Sequence, residues 1–233
     1  KVAVYEQSEA LLKVGAGVQI SSNGGYVLEA LGGFKDLTNI ACLGKGVEIF
    51  DHKSRNIAFI DLENFCSGPS HLMLYRHELI LLLQKRCSEA GVKFYFGEKL
   101  LGISCFERPR FETNKLQRSV DLLVCSDGIH SVGRETVLGK SCPSYFTGHV
   151  AWRAIVPDIS SHPAATRIYL GPNKHIVSYP LHRGGMINLV MVEERSVWVK
   201  ESWTEKGSTD ELRTVFASFT GGVSELLDKV EEP

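Results

Sequence analysis

The stretch DLLVCSDGIHSVGRE (121–135) brings side chains of four chemical kinds together within a few positions. Asp127 and Gly128 follow an apolar run, and His130 and Arg134 come close behind them. In open α/β sheets, ligands bind beyond the carboxyl ends of the strands. A glycine lets a ligand approach the backbone, a carboxylate accepts hydrogen bonds from a ribose, and a guanidinium binds phosphate oxygens. The stretch therefore predicts a buried strand that ends in a nucleotide-binding turn.

The same residues also have a purely structural interpretation. An Asp-Gly pair is common in ordinary turns, and Ser126 or Asp127 is a suitable residue to cap a following helix. The stretch taken alone leaves the nucleotide-binding and the capping interpretations open.

A second candidate, Glu6, ends the β-rich run KVAVYEQ at residues 1–7. In dinucleotide-binding folds, an acidic residue at the end of the second strand binds the ribose, roughly 20 residues after a glycine fingerprint. No fingerprint precedes Glu6 in this sequence, so an exposed surface carboxylate is the alternative. The segment GAGVQI (15–20) does not have the G-x-G-x-x-G spacing and is not predicted to be a phosphate loop.

Composition excludes several classes of function. The chain has 233 residues, of which 43% are hydrophobic and 23% charged, and its formal net charge is −1. This balance, without basic runs, argues against nucleic-acid binding, and no apolar stretch approaches the ~20 residues of a membrane span. The six cysteines form no C-x-x-C pair and no zinc spacing, so no metal site is predicted. A reduced, cytoplasmic protein is expected, with Cys125 buried in its strand.

The hydrophobic periodicity predicts the elements that position these residues. The segment 71–92 carries leucines at helical spacing and ends near Gly91, which predicts a helix. The segment 46–62 alternates around a polar centre and predicts a hairpin. From Tyr145 onward, β-rich runs alternate with turns, which predicts an antiparallel sheet and a second domain. A last helix should begin near Ser208.

Together, these segments resemble the class A flavoprotein monooxygenases, the group that includes salicylate hydroxylase and 4-hydroxybenzoate hydroxylase. VYEQ and GAGVQISSNG are similar to the end of that family's second strand and the segment after it. YRHELILLL (75–83) looks like the R-x-x-L helix, and CSDGIHSVGR (125–134) looks like the D-G-x-x-S-x-x-R motif, which is the most specific of these signals. GHVAWRAIV, SYPL and INLVMVEE resemble the salicylate hydroxylase branch.

The resemblance implies an α/β fold with two domains. Residues 1–144 would form a partial FAD-binding Rossmann-like domain of the GR2 type, which includes a helix-hairpin insertion. Residues 145–233 would form a β-sheet substrate domain and the start of a helix. The family's first strand with its G-x-G-x-x-G, and a later Gly-Asp motif, have no counterpart in this sequence, so we expect a piece of a longer polypeptide.

The resemblance also assigns cofactor-binding residues. Glu6 matches the glutamate that binds the adenosine ribose of FAD, and Arg76 matches an arginine near the pyrophosphate. Gly17 and Val18 fall where the backbone passes close to the flavin. A surface ion pair is the alternative role for Arg76.

Four further residues match the Asp-Gly motif of the family. Asp127 and Gly128 are associated there with both FAD and NAD(P)H. His130 and Arg134 match positions that help to receive the nicotinamide cofactor, and a helix-capping role is the alternative for His130.

The activity implied is an FAD-dependent hydroxylation of an aromatic, salicylate-like or phenolic substrate with NAD(P)H and O2. Such chemistry requires no protein nucleophile, so no catalytic side chain is assigned. Four residues on the candidate strands of the second domain are predicted to bind the substrate: the arginine suits a carboxylate and the other side chains suit a phenol, in the set Arg167, Tyr169, His175 and Tyr179. Strand residues alternate between the two faces of a sheet, and the sequence does not fix the register. Core packing is the alternative for Tyr179.

Two other functions remain open at this stage. One is an FAD oxidoreductase that reacts poorly with oxygen, and the other is a non-catalytic relative that serves as a binding module. The expected partners are a small aromatic substrate and O2, without nucleic acid or a membrane span, and a homodimer is left open.

Overall fold

A computed structural model describes residues 1–11, 16–65, 68–69, 71–104, 107–158, 161–181, 185–197, 207–231 and 233. The chain divides into two compact units. The first unit contains residues 1–12 and 84–147, and the second contains residues 13–83 and 148–233.

Both units combine helices and strands. In chain order, the elements are β1 (Ala3–Glu6), β2 (Gly17–Ile20), α1 (Ser22–Ala30), α2 (Phe34–Ile40), β3 (Cys42–Gly44), β4 (Gly46–Asp51), β5 (Asn56–Asp61), α3 (Leu62–Phe65), β6 (His71–Tyr75), α4 (Arg76–Glu89), β7 (Lys93–Phe96), β8 (Leu100–Ser104), β9 (Arg110–Thr113), β10 (Gln117–Ser119), α5 (Val132–Leu138), β11 (His149–Pro157), β12 (Thr166–Gly171), β13 (Lys174–Leu181), β14 (Met186–Glu194), α6 (Thr209–Val215) and α7 (Gly222–Leu227). None of the helices in the described part is long and apolar enough to cross a bilayer.

In the first unit, β1 pairs in parallel with β7, and β8, β9 and β10 form a three-stranded antiparallel sheet. Tyr5 of β1 stacks on Tyr95 of β7, with ring centroids 4.9 Å apart. The Arg118 guanidinium donates a hydrogen bond to the Tyr5 hydroxyl at 2.9 Å. These contacts hold the end of β1, where Glu6 lies.

The prediction of a buried strand at residues 121–125 is wrong. Within the described part of the chain, this segment forms no strand ladder, and Leu122 and Val124 are 77% and 74% exposed. Cys125 is exposed as well, not buried as expected. An apolar run predicts burial only through its partners, and a strand exists only where a neighbour supplies the hydrogen bonds.

In the second unit, a six-stranded sheet has the order β11–β14–β13–β12–β4–β5, and a smaller sheet has the order β2–β6–β3. The hairpin predicted at 46–62 is therefore β4 and β5, and β4 pairs in parallel with β12. That pairing places 13–83 with the C-terminal half of the chain. The predicted boundary at 144/145 lies close to the observed break at 147/148, but the predicted first domain is not one continuous stretch.

Another difference concerns the predicted helix at 71–92. The structure has β6 over His71–Tyr75 and a helix only over Arg76–Glu89. The segment HLMLY is short and apolar, and periodicity does not separate a buried strand from a helix over five residues. The expected last helix is α6, whose N-cap Ser208 accepts a hydrogen bond from the Glu211 amide at 3.3 Å.

One face of the six-stranded sheet carries the main hydrophobic core, and we call it the inner face. Its side chains pack against α6 and α7 in the main hydrophobic core, where Leu189, Met191 and Ile176 are 0% exposed. Leu212 of α6 and Phe216, the C-cap residue of that helix, belong to the same core. We call the opposite face, which carries Tyr179, the outer face.

Candidate functional site

In the first unit, the Asp-Gly motif forms a turn whose residues bind one another. One oxygen of the Asp127 carboxylate accepts the Ser131 hydroxyl at 2.5 Å, and the other accepts the Gly133 amide at 3.1 Å. The Ser131 hydroxyl oxygen accepts the Arg134 amide at 2.9 Å. Asp127 and Ser131 therefore satisfy amides that begin α5, as the capping interpretation predicts.

Arg134 also binds within this turn. Its Nη2 donates to the carbonyl oxygens of Ile129, at 2.6 Å, and of Cys142, at 3.1 Å. The guanidinium thus joins the turn before α5 to the segment after it. This structural role stands beside the predicted contact with a nicotinamide cofactor, which stays a prediction. The fourth motif side chain, His130, is exposed on the same turn.

The backbone of the turn depends on two glycines. Gly128 has φ +80°, and a Cβ on it would meet no atom within 4 Å, so this part of the backbone is open to a ligand. Gly133 is required for a different reason, since a Cβ there would lie 2.4 Å from the Cys125 side chain. Nothing in the sequence indicates this role for Gly133, because a glycine in the first turn of a helix gives no signal of a close contact.

Replacing Asp127 with alanine should destabilise α5 by about 1–2 kcal/mol, because two hydrogen-bonded groups lose their acceptor. Burial opposes ionisation of Asp127, but the hydrogen bonds from Ser131 and the Gly133 amide lower the pKa of its carboxyl. The stabilisation of α5 by the Asp127 carboxylate is thus fully present above the unfolded-state pKa of about 4. It is lost as the pH falls through the lower, folded-state pKa. Hydrogen exchange of the α5 amides measures both effects.

The matched control for this prediction is Asp121→Ala, an exposed aspartate in the same segment. It should leave exchange in α5 unchanged. Equal protection of α5 in the Asp127 and Asp121 variants at neutral pH would show that the carboxylate does not cap the helix.

Glu6 lies at the end of β1, as the resemblance implies. One of its oxygens accepts the Ser8 amide at 2.8 Å. This bond orients the carboxylate and leaves its second oxygen as an acceptor for a hydroxyl group. This acceptor therefore fits a ribose hydroxyl.

In the second unit, the structure brings three predicted cofactor residues together. Gly17 and Val18 lie on β2, which pairs antiparallel to β6 with Gly17 opposite Tyr75. Arg76 follows Tyr75 directly, and its amide donates to the Ala16 carbonyl at 3.2 Å. The Arg76 side chain is exposed and has no ion-pair partner within the described ranges, so the surface ion pair considered for it is not observed. An exposed guanidinium beside a glycine-containing strand fits an anionic ligand.

Gly17 lies against Asn188, which the sequence did not indicate as a site residue, and against Tyr179, for which core packing was the alternative. The Gly17 amide donates to Oδ1 of Asn188, which is 0% exposed, at 2.7 Å. A Cβ on Gly17 would lie 2.6 Å from Leu181 and 2.7 Å from the Tyr179 ring. The hydrogen bond from Gly17 to Asn188 joins residues 171 positions apart, and no local sequence pattern around Asn188 indicates it.

A buried polar cluster lies next to this contact. Gln19 Oε1 accepts the Thr166 hydroxyl at 2.6 Å and lies 3.0 Å from His71 Nε2. Burial lowers the pKa of His71, which favours its neutral form. The cluster ties β2, β6 and β12 together through the buried side chains of His71 and Thr166 and the partly exposed side chain of Gln19.

The strand register arranges the outer face in rows across the sheet. The first row contains Ile155, Asn188, Tyr179 and Thr166, and β2 covers it through Gly17 and Gln19. Asn188, Tyr179 and Thr166 are accordingly at most 3% exposed.

The next two rows are more open. The second row contains Arg153, Val190, Val177 and Ile168, and the third contains Ala151, Val192, His175 and Leu170. Arg153, Ala151 and Leu170 are exposed, and the other members are partly exposed. We call these two rows the open rows.

The four predicted substrate residues do not form one site. His175 and Tyr179 lie on the outer face, whereas Arg167 and Tyr169 lie on the inner face. Arg167 pairs with Glu48 at 2.6 Å, and Tyr169 stacks on Phe50 with centroids 5.1 Å apart. Arg167 and Tyr169 therefore cannot share one site on the sheet with His175 and Tyr179. Successive residues of a strand point to opposite faces, and the register puts the two pairs on different faces.

Burial changes the acidity of both residues on the outer face. It raises the pKa of Tyr179 to about 12, although the charge of Arg153 opposes the shift. Burial, and then the charge of His149, lower the pKa of His175. At neutral pH, Tyr179 is therefore a neutral phenol that can donate a hydrogen bond, and His175 favours the neutral imidazole that can accept a proton.

Comparison with curated proteins gives matches over almost the whole chain. It is 27% identical over 241 residues to 3-amino-4-hydroxybenzoate 2-monooxygenase PtnB3 of Streptomyces platensis, covering 98% of this chain and 59% of that protein. It is 28% identical over 245 residues to 3-hydroxybenzoate 6-hydroxylase of Polaromonas naphthalenivorans, covering 97% and 59%. The chain thus spans about three fifths of the length of these relatives. No family model matches it.

Solved structures show the same fold. CtdE in complex with FAD and a substrate superposes with a TM-score of 0.84 at 15% identity, over 100% of this chain and 61% of that one. A salicylate hydroxylase substrate complex gives a TM-score of 0.79 at 22% identity, over 100% and 66%. From these sequence matches, the chain is a homologue of the 3-amino-4-hydroxybenzoate 2-monooxygenase and the 3-hydroxybenzoate 6-hydroxylase over about three fifths of their length.

Proposed function

We propose that the chain binds FAD and acts in the hydroxylation of an aromatic substrate with NAD(P)H and O2. One observation carries this proposal: relatives aligned over 97–98% of the chain are monooxygenases or hydroxylases of hydroxybenzoates. That agreement favours a hydroxylase over a non-catalytic binding module. It also favours a hydroxylase over an oxidoreductase that does not use oxygen.

The residues present fit the cofactor. Arg76 is an exposed cation next to the backbone of Gly17 and would bind the pyrophosphate. Considered by itself, the first unit has a Glu6 carboxylate oxygen that fits a ribose hydroxyl, and an open backbone at Gly128 with φ +80°. When bound, FAD would supply the reaction with oxygen, which no side chain can perform.

The side chains would then bind the substrate and control its proton. His175 favours its neutral form and would accept the proton of a phenol, which makes the ring more electron-rich. Tyr179 is only 3% exposed and lies against Gly17, so it would shape the site without binding the substrate itself. Asn188 holds the Gly17 backbone beside Tyr179.

The first test is flavin retention. Purified protein mixed with FAD and passed through a desalting column should keep the visible absorbance of the flavin. Arg76→Ala should weaken FAD binding roughly 10- to 100-fold, because a charge-assisted hydrogen bond is worth about 1.5–3 kcal/mol. Lys85→Ala is the matched control, since Lys85 is an exposed cation on the same helix, α4.

The outcomes separate the hypotheses. Protein that is folded but retains no flavin would overturn the proposed function. Equal affinity in the parent and Arg76→Ala would remove Arg76 from the cofactor site. Flavin reduction by NAD(P)H without oxygen uptake in the presence of a hydroxybenzoate would favour the other class of FAD oxidoreductase.

We also propose a cytoplasmic homodimer. β5 is an edge strand of the six-stranded sheet and exposes Ile57, Phe59 and Ile60 by 47–59%. An apolar edge strand is a surface on which a second copy can pair. Light scattering on the purified protein tests this, and a monomer at all concentrations would exclude the dimer.

A further inference from the structure

The side chain of Asn188 is a polar group in a buried row of the six-stranded sheet. It lies on β14 in the first row of the outer face, opposite Ile155 of β11 and Tyr179 of β13, and it is 0% exposed. A leucine has a similar branched shape and would fill this space without polar atoms that require partners. Packing alone therefore does not explain an asparagine at this position.

Only one half of the Asn188 amide is paired. Its Oδ1 accepts the Gly17 amide at 2.7 Å, and because a backbone amide can only donate, this contact identifies the oxygen end of the side chain. Nδ2 is buried and has no acceptor among the residues that the structure describes. An unpaired buried donor costs stability, so the hydrogen bond made by Oδ1 is what distinguishes asparagine from leucine here.

That hydrogen bond fixes the end of β2 to which Arg76 is attached. Gly17 is the first residue of β2 and lies opposite Tyr75 of β6. The carbonyl oxygen of the preceding residue, Ala16, accepts the Arg76 amide at 3.2 Å. Two hydrogen bonds therefore connect β14, through the start of β2, to the first residue of α4.

The other end of β2 has a separate anchor. Gln19 accepts the Thr166 hydroxyl at 2.6 Å and so holds this end of the strand on β12. Loss of Oδ1 at Asn188 should therefore displace the Gly17 end of β2 and leave the Gln19 end in place. The displaced end is the one that carries the backbone partner of Arg76.

We propose that Asn188 is a positioning residue for the cofactor, because it holds the Gly17 end of β2 and thereby places Arg76 for the pyrophosphate of FAD. Asn188 itself does not touch the cofactor and acts through Arg76. The part of this inference that concerns FAD rests on the proposed function, whereas the anchoring of β2 by Asn188 does not.

The first test measures FAD affinity by titration of flavin fluorescence. Asn188→Leu should weaken FAD binding about 5- to 10-fold, which corresponds to one lost neutral hydrogen bond. Asn188→Ala removes the same oxygen without adding volume, and it replaces the leucine variant if that protein does not fold. Ile187→Val is the matched control, since Ile187 is 0% exposed in the core on the inner face of the same strand, and it should leave FAD affinity unchanged.

The second test combines Asn188→Leu with Arg76→Ala. Because Asn188 acts through Arg76, the double variant should bind FAD no more weakly than Arg76→Ala alone. A general loss of stability would instead multiply the two effects. Hydrogen exchange of the Arg76 amide, measured without FAD, should be faster in Asn188→Leu than in Ile187→Val.

The outcomes keep the two proposals apart. If the parent binds FAD, equal affinity in Asn188→Leu or multiplied losses in the double variant would overturn the role of Asn188 alone. A folded parent that binds no FAD would refute the proposed function, and hydrogen exchange then decides about the anchor. Unchanged exchange of the Arg76 amide in Asn188→Leu would overturn the positioning role, and faster exchange would support it.

Discussion

Leu189→Ala should lower the free energy of unfolding by about 2–5 kcal/mol, which is the usual cost of such a cavity in a core. Leu189 lies on β14 and is 0% exposed on the inner face, where it packs in the core formed with α6 and α7. The loss combines the transfer free energy of the removed methyl groups with the cavity that remains. Chemical denaturation, followed by tryptophan fluorescence to which Trp152 in the same core contributes, measures this loss.

The residue after Leu189, Val190, supplies the control variant. Val190 lies next to Leu189 on the same strand but on the outer face, where it is only partly exposed. Val190→Ala should therefore cost no more than about 1 kcal/mol, because little buried area is lost. A larger loss for Val190 than for Leu189 would mean that the two faces of the sheet have been assigned the wrong way round.

Gly17→Ala should destabilise the contact between β2 and the six-stranded sheet by about 1–3 kcal/mol, as overpacking does in a closed site. The added Cβ would lie 2.6 Å from Leu181 and 2.7 Å from the Tyr179 ring, and these side chains are 1% and 3% exposed. Neither has free space to move into. The displaced β2 would also lengthen the hydrogen bond from the Gly17 amide to Asn188.

The measurement is again chemical denaturation, together with hydrogen exchange of the Gly17 amide, and Gly222→Ala is the matched control. Gly222 begins α7 in the same unit, and a Cβ there meets no atom within 4 Å. It should leave stability unchanged or raise it by up to about 1 kcal/mol, since alanine favours helix. If Gly17→Ala had the same free energy of unfolding as Gly222→Ala, the tight packing of Gly17 against Leu181 and Tyr179 would be contradicted.

Local chemistry in the sequence was enough to predict several features of this protein. The D-G-x-x-S-x-x-R spacing indicated a turn before a helix, and Asp127, Ser131 and Arg134 form that turn through bonds within eight residues. The alternation in 46–62 indicated the hairpin of β4 and β5. The capping residues at Ser208 and Glu211 indicated the start of α6. Such features depend on neighbours in the chain, which the sequence displays directly.

The predictions that failed concern features that depend on contacts between segments far apart in the chain. The run 121–125 has the residues of a buried strand but no ladder partner in the described part of the chain, and HLMLY became a strand because β2 and β3 pair with it. The prediction of a shared substrate site was wrong for the same reason. Arg167 and His175 are both plausible ligands by type, but the register of β12 and β13 sends them to opposite faces.

The sequence by itself determined the residue types, the local turns and the family resemblance, because these depend on spacing along the chain. Only the tertiary structure decided which face each strand residue occupies, and that Asn188 binds Gly17 across 171 positions. It also placed Arg153, not Arg167, on the face with Tyr179. The physical reason is that strand pairing has a period of two residues, so a shift of one position exchanges the core side of a sheet with its open side.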